Sequence, residues 1–116
     1  MTESRKAAIQ RIEVLVDAAQ DLHAALQANE EAYRKTLRLL KSGTEMGKAL
    51  TAVDVAQARS QLEGSLRTFE ADRHRARSLM IAAQVDEGMN IKQVAQVWGI
   101  SRQLAGRFLK EAQSDS

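Results

Sequence analysis

The sequence predicts an all-α protein in which a long antiparallel helical hairpin, coiled-coil-like in its patterning, precedes a small trihelical unit. Three observations predict it. Proline is absent and aromatics are scarce in a chain of 116 residues rich in Ala, Leu, Gln, Glu, Arg and Lys; the straight-chain members of that list lose little rotamer freedom in a helix. Apolar positions recur in alternating threes and fours over two long stretches. Four of the six glycines, the strongest local breakers left, stand where those patterns stop, at Gly43, Gly47, Gly88 and Gly99, while Gly64 lies inside the second pattern and costs it about 1 kcal/mol of helix propensity.

The first helix is read over residues 4–41, with Ser4 as its N-cap. Its seam runs Ile9, Ile12, Val16, Ala19, His23, Leu26, Glu30, Tyr33, Leu37, Leu40, apolar or aromatic at eight of ten positions. That is the pattern of a helix paired along its length. Leu15 and Leu22, flanked by Ala8, Ala18 and Ala25, widen the apolar face beyond one seam. One partner helix cannot cover both, and a large uncovered apolar face marks an interface. A second copy of the chain is the preferred cover, giving a homodimer through the hairpin in a four-helix arrangement. The C-terminal helices of the same chain are the alternative.

Ser42-Gly43 ends the first helix, and a connector of about ten residues, which includes Thr44, Glu45, Met46 and Gly47, leads to the next. Thr51 with Asp54 three residues on resembles a capping box and marks the start of the second helix. Its seam passes through Val55, Arg59, Leu62, Leu66, Phe69, Arg73, Ala76, Met80 and Ala83, and Gly88 closes it as the residue after the C-cap. Folding back about Met46 sets Ile9 near Gln84 and Leu40 near Val53. Each arm is on the order of 55 Å long.

The last third is denser in signals. Asn90 caps a short helix over 91–98, with Gln93 completing the box. Gly99 supplies the positive φ of a tight turn, Ile100 plugs the core, and Ser101 caps a helix over 102–112. Ala95 is small where the two helices meet. Val94, Trp98, Ile100, Ala105, Phe108 and Leu109 face inward. The exposed face of the last helix then holds Arg102, Gln103, Leu104, Gly106, Arg107 and Lys110, without an acid. Formal net charge is only +2, yet residues 88–110 carry Lys92, Arg102, Arg107 and Lys110 with no Asp or Glu among them. A cationic block on a nearly neutral chain suggests a local anionic partner.

The run VAQVWGISRQLAGRFLK resembles the helix-turn-helix of bacterial repressors and of resolvase/invertase C-terminal domains, over about residues 79–110. Ala, then Gly four later, then Ile-Ser-Arg carries the likeness. Ala105 stands where a β-branched residue is common, and Leu104 where Thr or Ser is common. The resemblance implies that residues 79–85 form the first helix of a trihelical unit and that helix 102–112 enters the major groove of double-stranded DNA. Arg102, Gln103, Leu104, Gly106 and Arg107 would then lie at bases or flanking phosphates. The chemistry of these side chains agrees: Arg pairs with guanine, Gln with adenine, and Leu104 could meet a thymine methyl. Lys92 and Lys110 suit phosphates. Ser101 caps its helix or donates to a phosphate, the cap being preferred.

These readings divide the chain into a hairpin and dimerisation region, 1–78, a DNA-binding region, 79–112, and a flexible tail, 113–116. The leading expectation is a dimeric transcriptional regulator with heads set near one DNA turn, about 34 Å. A nucleoid or plasmid/phage-maintenance protein of low sequence specificity is a second expectation, and an adaptor for an unidentified protein partner a third. Arg73, His74, Arg75 and Arg77 form another basic cluster, read mainly as salt-bridged to Glu70, Asp72 and the acids of the first helix. His23 and His74 lie on different helices and cysteine is absent, so no metal site, disulfide or cofactor is expected. No phosphate-binding glycine loop or nucleophile motif appears, and no enzyme is expected. The N-terminus lacks the apolar run of a signal peptide and no stretch could span a bilayer; a cytoplasmic, nucleoid-associated protein without membrane contact is expected.

Overall fold

The computed structural model describes residues 1–114, which form five helices and no strand: α1 (Glu3–Lys41), α2 (Met46–Val53), α3 (Val55–Asp86), α4 (Ile91–Trp98) and α5 (Arg102–Ser114). This is a long helical hairpin followed by a small helical domain. Two compact units divide the chain. One joins residues 1–16 to the described residues from 70 onward, and the other holds residues 17–69. α5 extends two residues past the expected end, so Gln113 and Ser114 are helical; residues 115 and 116 of the expected tail lie outside the described residues.

In the unit of residues 17–69, α1 and α3 run antiparallel. Ala18 and Asp21 share a groove with Ser60, Gly64 and Thr68, and Ala28 and Ala32 share one with Val53, Gln57 and Ala58. The buried row of α1 is Ala8, Ala18, Ala25, Ala32 and Thr36, with Leu15, Leu22, Asn29 and Leu39 half-buried beside it. The expected seam is the other face. Ile9, Ile12, Val16, Leu26, Tyr33 and Leu37 are 36% to 53% exposed, and Ala19, His23 and Glu30 between them are exposed as well. Alanine at seven-residue intervals presents a smooth surface on which a partner helix sits close, whereas the bulky seam would hold it away. Thr36 joins the buried row because its hydroxyl donates to the Ala32 carbonyl at 2.9 Å, leaving no orphaned polar atom.

The connector differs from expectation too. Thr51 is not an N-cap but lies inside α2, its hydroxyl donating to the Gly47 carbonyl at 2.8 Å. Asp54 divides α2 from α3. It adopts a left-handed backbone (φ 57°, ψ 59°) and its carboxylate accepts from the Gln57 amide at 3.3 Å. A short acceptor side chain makes Asp one of the few residues that visit this region.

The other unit carries the head. Ile81, Val94, Ala95, Ala105 and Phe108 are its buried core, and Val85, Ile91, Trp98, Ile100, Leu104 and Leu109 pack around them. The first turns of α1 belong here: Arg5 forks onto Glu87 at 3.0 and 2.9 Å, and Ala8, Ile9 and Ile12 line a groove with Met80, Ala83 and Gln84 of α3 and Val97 and Trp98 of α4. Gly88 closes α3 in a Schellman motif, its amide donating to Val85 and that of Met89 to Gln84, both at 3.0 Å.

Candidate nucleic-acid interface

The α4–turn–α5 element is held by local hydrogen bonds that the sequence dictates. The Asn90 side chain accepts from the Gln93 amide at 2.9 Å, and the Gln93 side chain accepts from the Asn90 amide at 3.0 Å. Gly99 ends α4 at φ 66°, ψ 36°, a conformation in which a Cβ would crowd the carbonyl. The Ile100 amide then reaches the Ala95 carbonyl at 3.0 Å. The Ser101 oxygen accepts from the Leu104 amide at 3.0 Å, so Ser101 is an N-cap, with its hydroxyl proton still free to donate.

With its start fixed, α5 divides cleanly by face. Ala105, Phe108 and Ala112 are buried, and Leu104 and Leu109 are half-buried against the same core. Leu104 therefore packs inward, which corrects the expectation that it belongs to the exposed face. The opposite face holds Arg102, Gln103, Arg107 and Lys110, all exposed, with Gly106 half-exposed among them. A Cβ built on Gly106 meets nothing within 4 Å, so the fold does not require glycine there. Its effect is to leave bare backbone in the middle of the cationic face. Lys92 is exposed in the first turn of α4.

These four cations differ from many others in the chain. Arg5, Arg34, Arg59 and Arg73 each hold a carboxylate at 2.9 Å, and the Glu63 hydrogen bond raises the pKa of Arg59 above its ordinary value. Lys92, Arg102, Arg107 and Lys110 form no ion pair or hydrogen bond among the described residues. Extended, unpaired cations are free to exchange their counterions for phosphates.

The neighbouring basic cluster is structural in several of its members. Arg73 pairs with Glu70, His74 Nε2 meets Glu111 Oε2 at 2.5 Å, and the His74 ring lies 5.0 Å from that of Phe108. The Arg77 guanidinium sits 4.8 Å above the Phe108 ring. Arg73–Glu70 is the ion pair expected from their spacing, whereas the His74 and Arg77 contacts brace α5 against α3. Sequence reasoning missed the contacts to α5, along with Trp98–Gln84, because partners 14 to 37 residues apart share no local spacing rule.

Among the described residues no three His, Asp or Glu side chains gather as a metal site, and no helix is long and apolar enough to cross a membrane. Comparison with protein-family models, with curated proteins and with solved structures returns no match to the chain.

Proposed function

We propose that the chain is a dimeric double-stranded-DNA-binding protein, a transcriptional regulator that sets α5 in the major groove. The observation that carries the reading is the α5 face itself: Arg102, Gln103, Arg107 and Lys110 around a bare Gly106, without an acid and without intramolecular partners among the described residues. On this reading Arg102, Gln103 and Arg107 reach base edges, whereas Lys110, Lys92 and the Ser101 hydroxyl meet phosphates. Nothing in the arrangement calls for catalysis, and the reading includes no enzyme activity.

The test is binding of the purified protein to random-sequence duplex at low and moderate salt, followed by selection of retained sequences. The two phosphate-contacting lysines, Lys92 and Lys110, predict a log–log salt slope of about −2 for each head engaged. Enrichment of a two-fold-symmetric site supports the regulator. Salt-dependent binding without enrichment supports a second reading, a nucleoid or plasmid/phage-maintenance protein of low specificity. That reading gains from Leu104, whose inward packing leaves fewer side chains to read bases. Absence of binding at low salt overturns both and points to a protein-interaction adaptor.

A further inference from the structure

The seam of α1 left outside the hairpin is a full-length pairing surface, with six bulky apolar side chains from Ile9 to Leu37 at alternating three- and four-residue steps. We propose that its occupant is the same seam of a second copy, lying antiparallel, so that Ile12 meets Leu37, Val16 meets Tyr33, and Ile9 meets Leu40 of the other copy. This names the interface of the dimer invoked above and rests on that reading only for its purpose.

Three observations select this occupant and its direction. First, the charges of α1 are divided. From Ile9 to Leu22 it carries Arg11 with Glu13, Asp17 and Asp21, none of the four in an ion pair among the described residues, whereas its late half carries Arg34, Lys35, Arg38 and Lys41. Glu30 and Glu31, the acids of that late half, are already held by Arg34 and Arg38 at 2.9 and 3.5 Å. Antiparallel pairing lays the net-acidic segment on the net-basic one and sets Glu13 beside Arg34 of the other copy, with Arg11 and Arg38 on the outer flank; parallel pairing lays each segment on its own like. Second, the polar positions of the seam obey the same choice. Parallel pairing would set Glu30 against Glu30 and His23 against His23, whereas antiparallel pairing sets Glu30 against the small Ala19 and His23 against Leu26. Third, the groove of about 280 Å³ beside Ile9 and Ile12 contains Val97, which is 62% exposed. Leu37 and Leu40 of a second copy, opposite Ile12 and Ile9, fall at that groove and cover Val97.

The chain has no cysteine, which makes disulfide trapping clean. Val16→Cys and Tyr33→Cys lie too far apart on one helix to bond within a chain. Mixed under mild oxidation without DNA, they should give a covalent dimer, and each variant alone should give little. Cross-linking of Val16→Cys alone as fast as the mixture overturns the direction. A monomer by sedimentation at the same concentration, for wild type whose helical circular dichroism is intact, overturns the pairing. Glu13→Arg should weaken self-association by about two- to fivefold and Arg34→Glu added to it should restore it; no restoration overturns the register. Because the trap is read without DNA, its failure leaves salt-dependent DNA binding by the head standing, and loss of DNA binding leaves the trap standing.

Discussion

The indole Nε1 of Trp98 donates a 2.7 Å hydrogen bond to Oε1 of Gln84, tying the end of α4 to the last turns of α3. Trp98 is half-buried and the bond spans 14 residues, so it acts as a strut between two helices of the head. The Gln84 amide also donates to the Met89 sulfur at 3.4 Å, linking the strut to the turn before α4. Gln84→Ala should lower unfolding stability by about 1 kcal/mol, the usual net value of such a bond. Trp98 is the sole tryptophan, so its fluorescence reports the site directly. Unchanged stability and emission in this variant would contradict a structural role for the bond.

Gly99 sits at φ 66°, where an L side chain costs about 1–2 kcal/mol. Gly99→Ala should therefore destabilise the protein by that amount in urea unfolding, although no atom beyond its own chain neighbours lies within 4 Å of the added Cβ. Gly99→Asn, which tolerates the left-handed region better, should recover part of the loss. Equal stability of all three proteins would mean that the turn relaxes to another conformation.

Gly106 makes the opposite case. It is helical and open to an added Cβ, so Gly106→Ala should stabilise the protein by about 0.5–1 kcal/mol. If α5 enters a groove, the same methyl obstructs the close approach and DNA affinity should fall despite the gain. Stabilisation together with unchanged affinity would place Gly106 away from the DNA.

Arg102 and Lys92 should separate base reading from phosphate binding. Arg102→Ala is expected to cost about 1–3 kcal/mol and to relax preference at one base pair. Lys92→Ala should weaken all sequences alike and reduce the salt slope by about one. Competition binding on a panel of single-base variants of the selected site measures both. Identical sequence profiles for wild type and Arg102→Ala would move the protein to the low-specificity reading.

Much of the head was legible because its signals are local. Asn90 with Gln93, Gly99, and Ser101 each act within four residues of themselves, and each stands in the structure as its spacing implies. Val94, Ala105 and Phe108 were recognisable as core from helical periodicity. Leu104 was not, because it lies at the edge of the apolar arc of α5, where periodicity alone does not decide between core and surface. The connector was misjudged for a related reason. Thr51 and Asp54 have the composition of a helix start, but Met46 through Val53 already form a helix and Asp54 takes the cap for itself.

By itself the sequence determined that α1 and α3 are helices, where the head turns, and which side chains of α5 are cationic, since propensity, capping and charge are properties of neighbouring residues. Only the tertiary structure decided which face of α1 goes inward. Two apolar rows overlap on that helix, one of alanines and one of Ile, Val, Leu and Tyr, and hydrophobicity alone favours the bulkier. The alanine row is buried in the hairpin because close approach of two helices depends on the shape of both surfaces, and the bulkier row is left exposed.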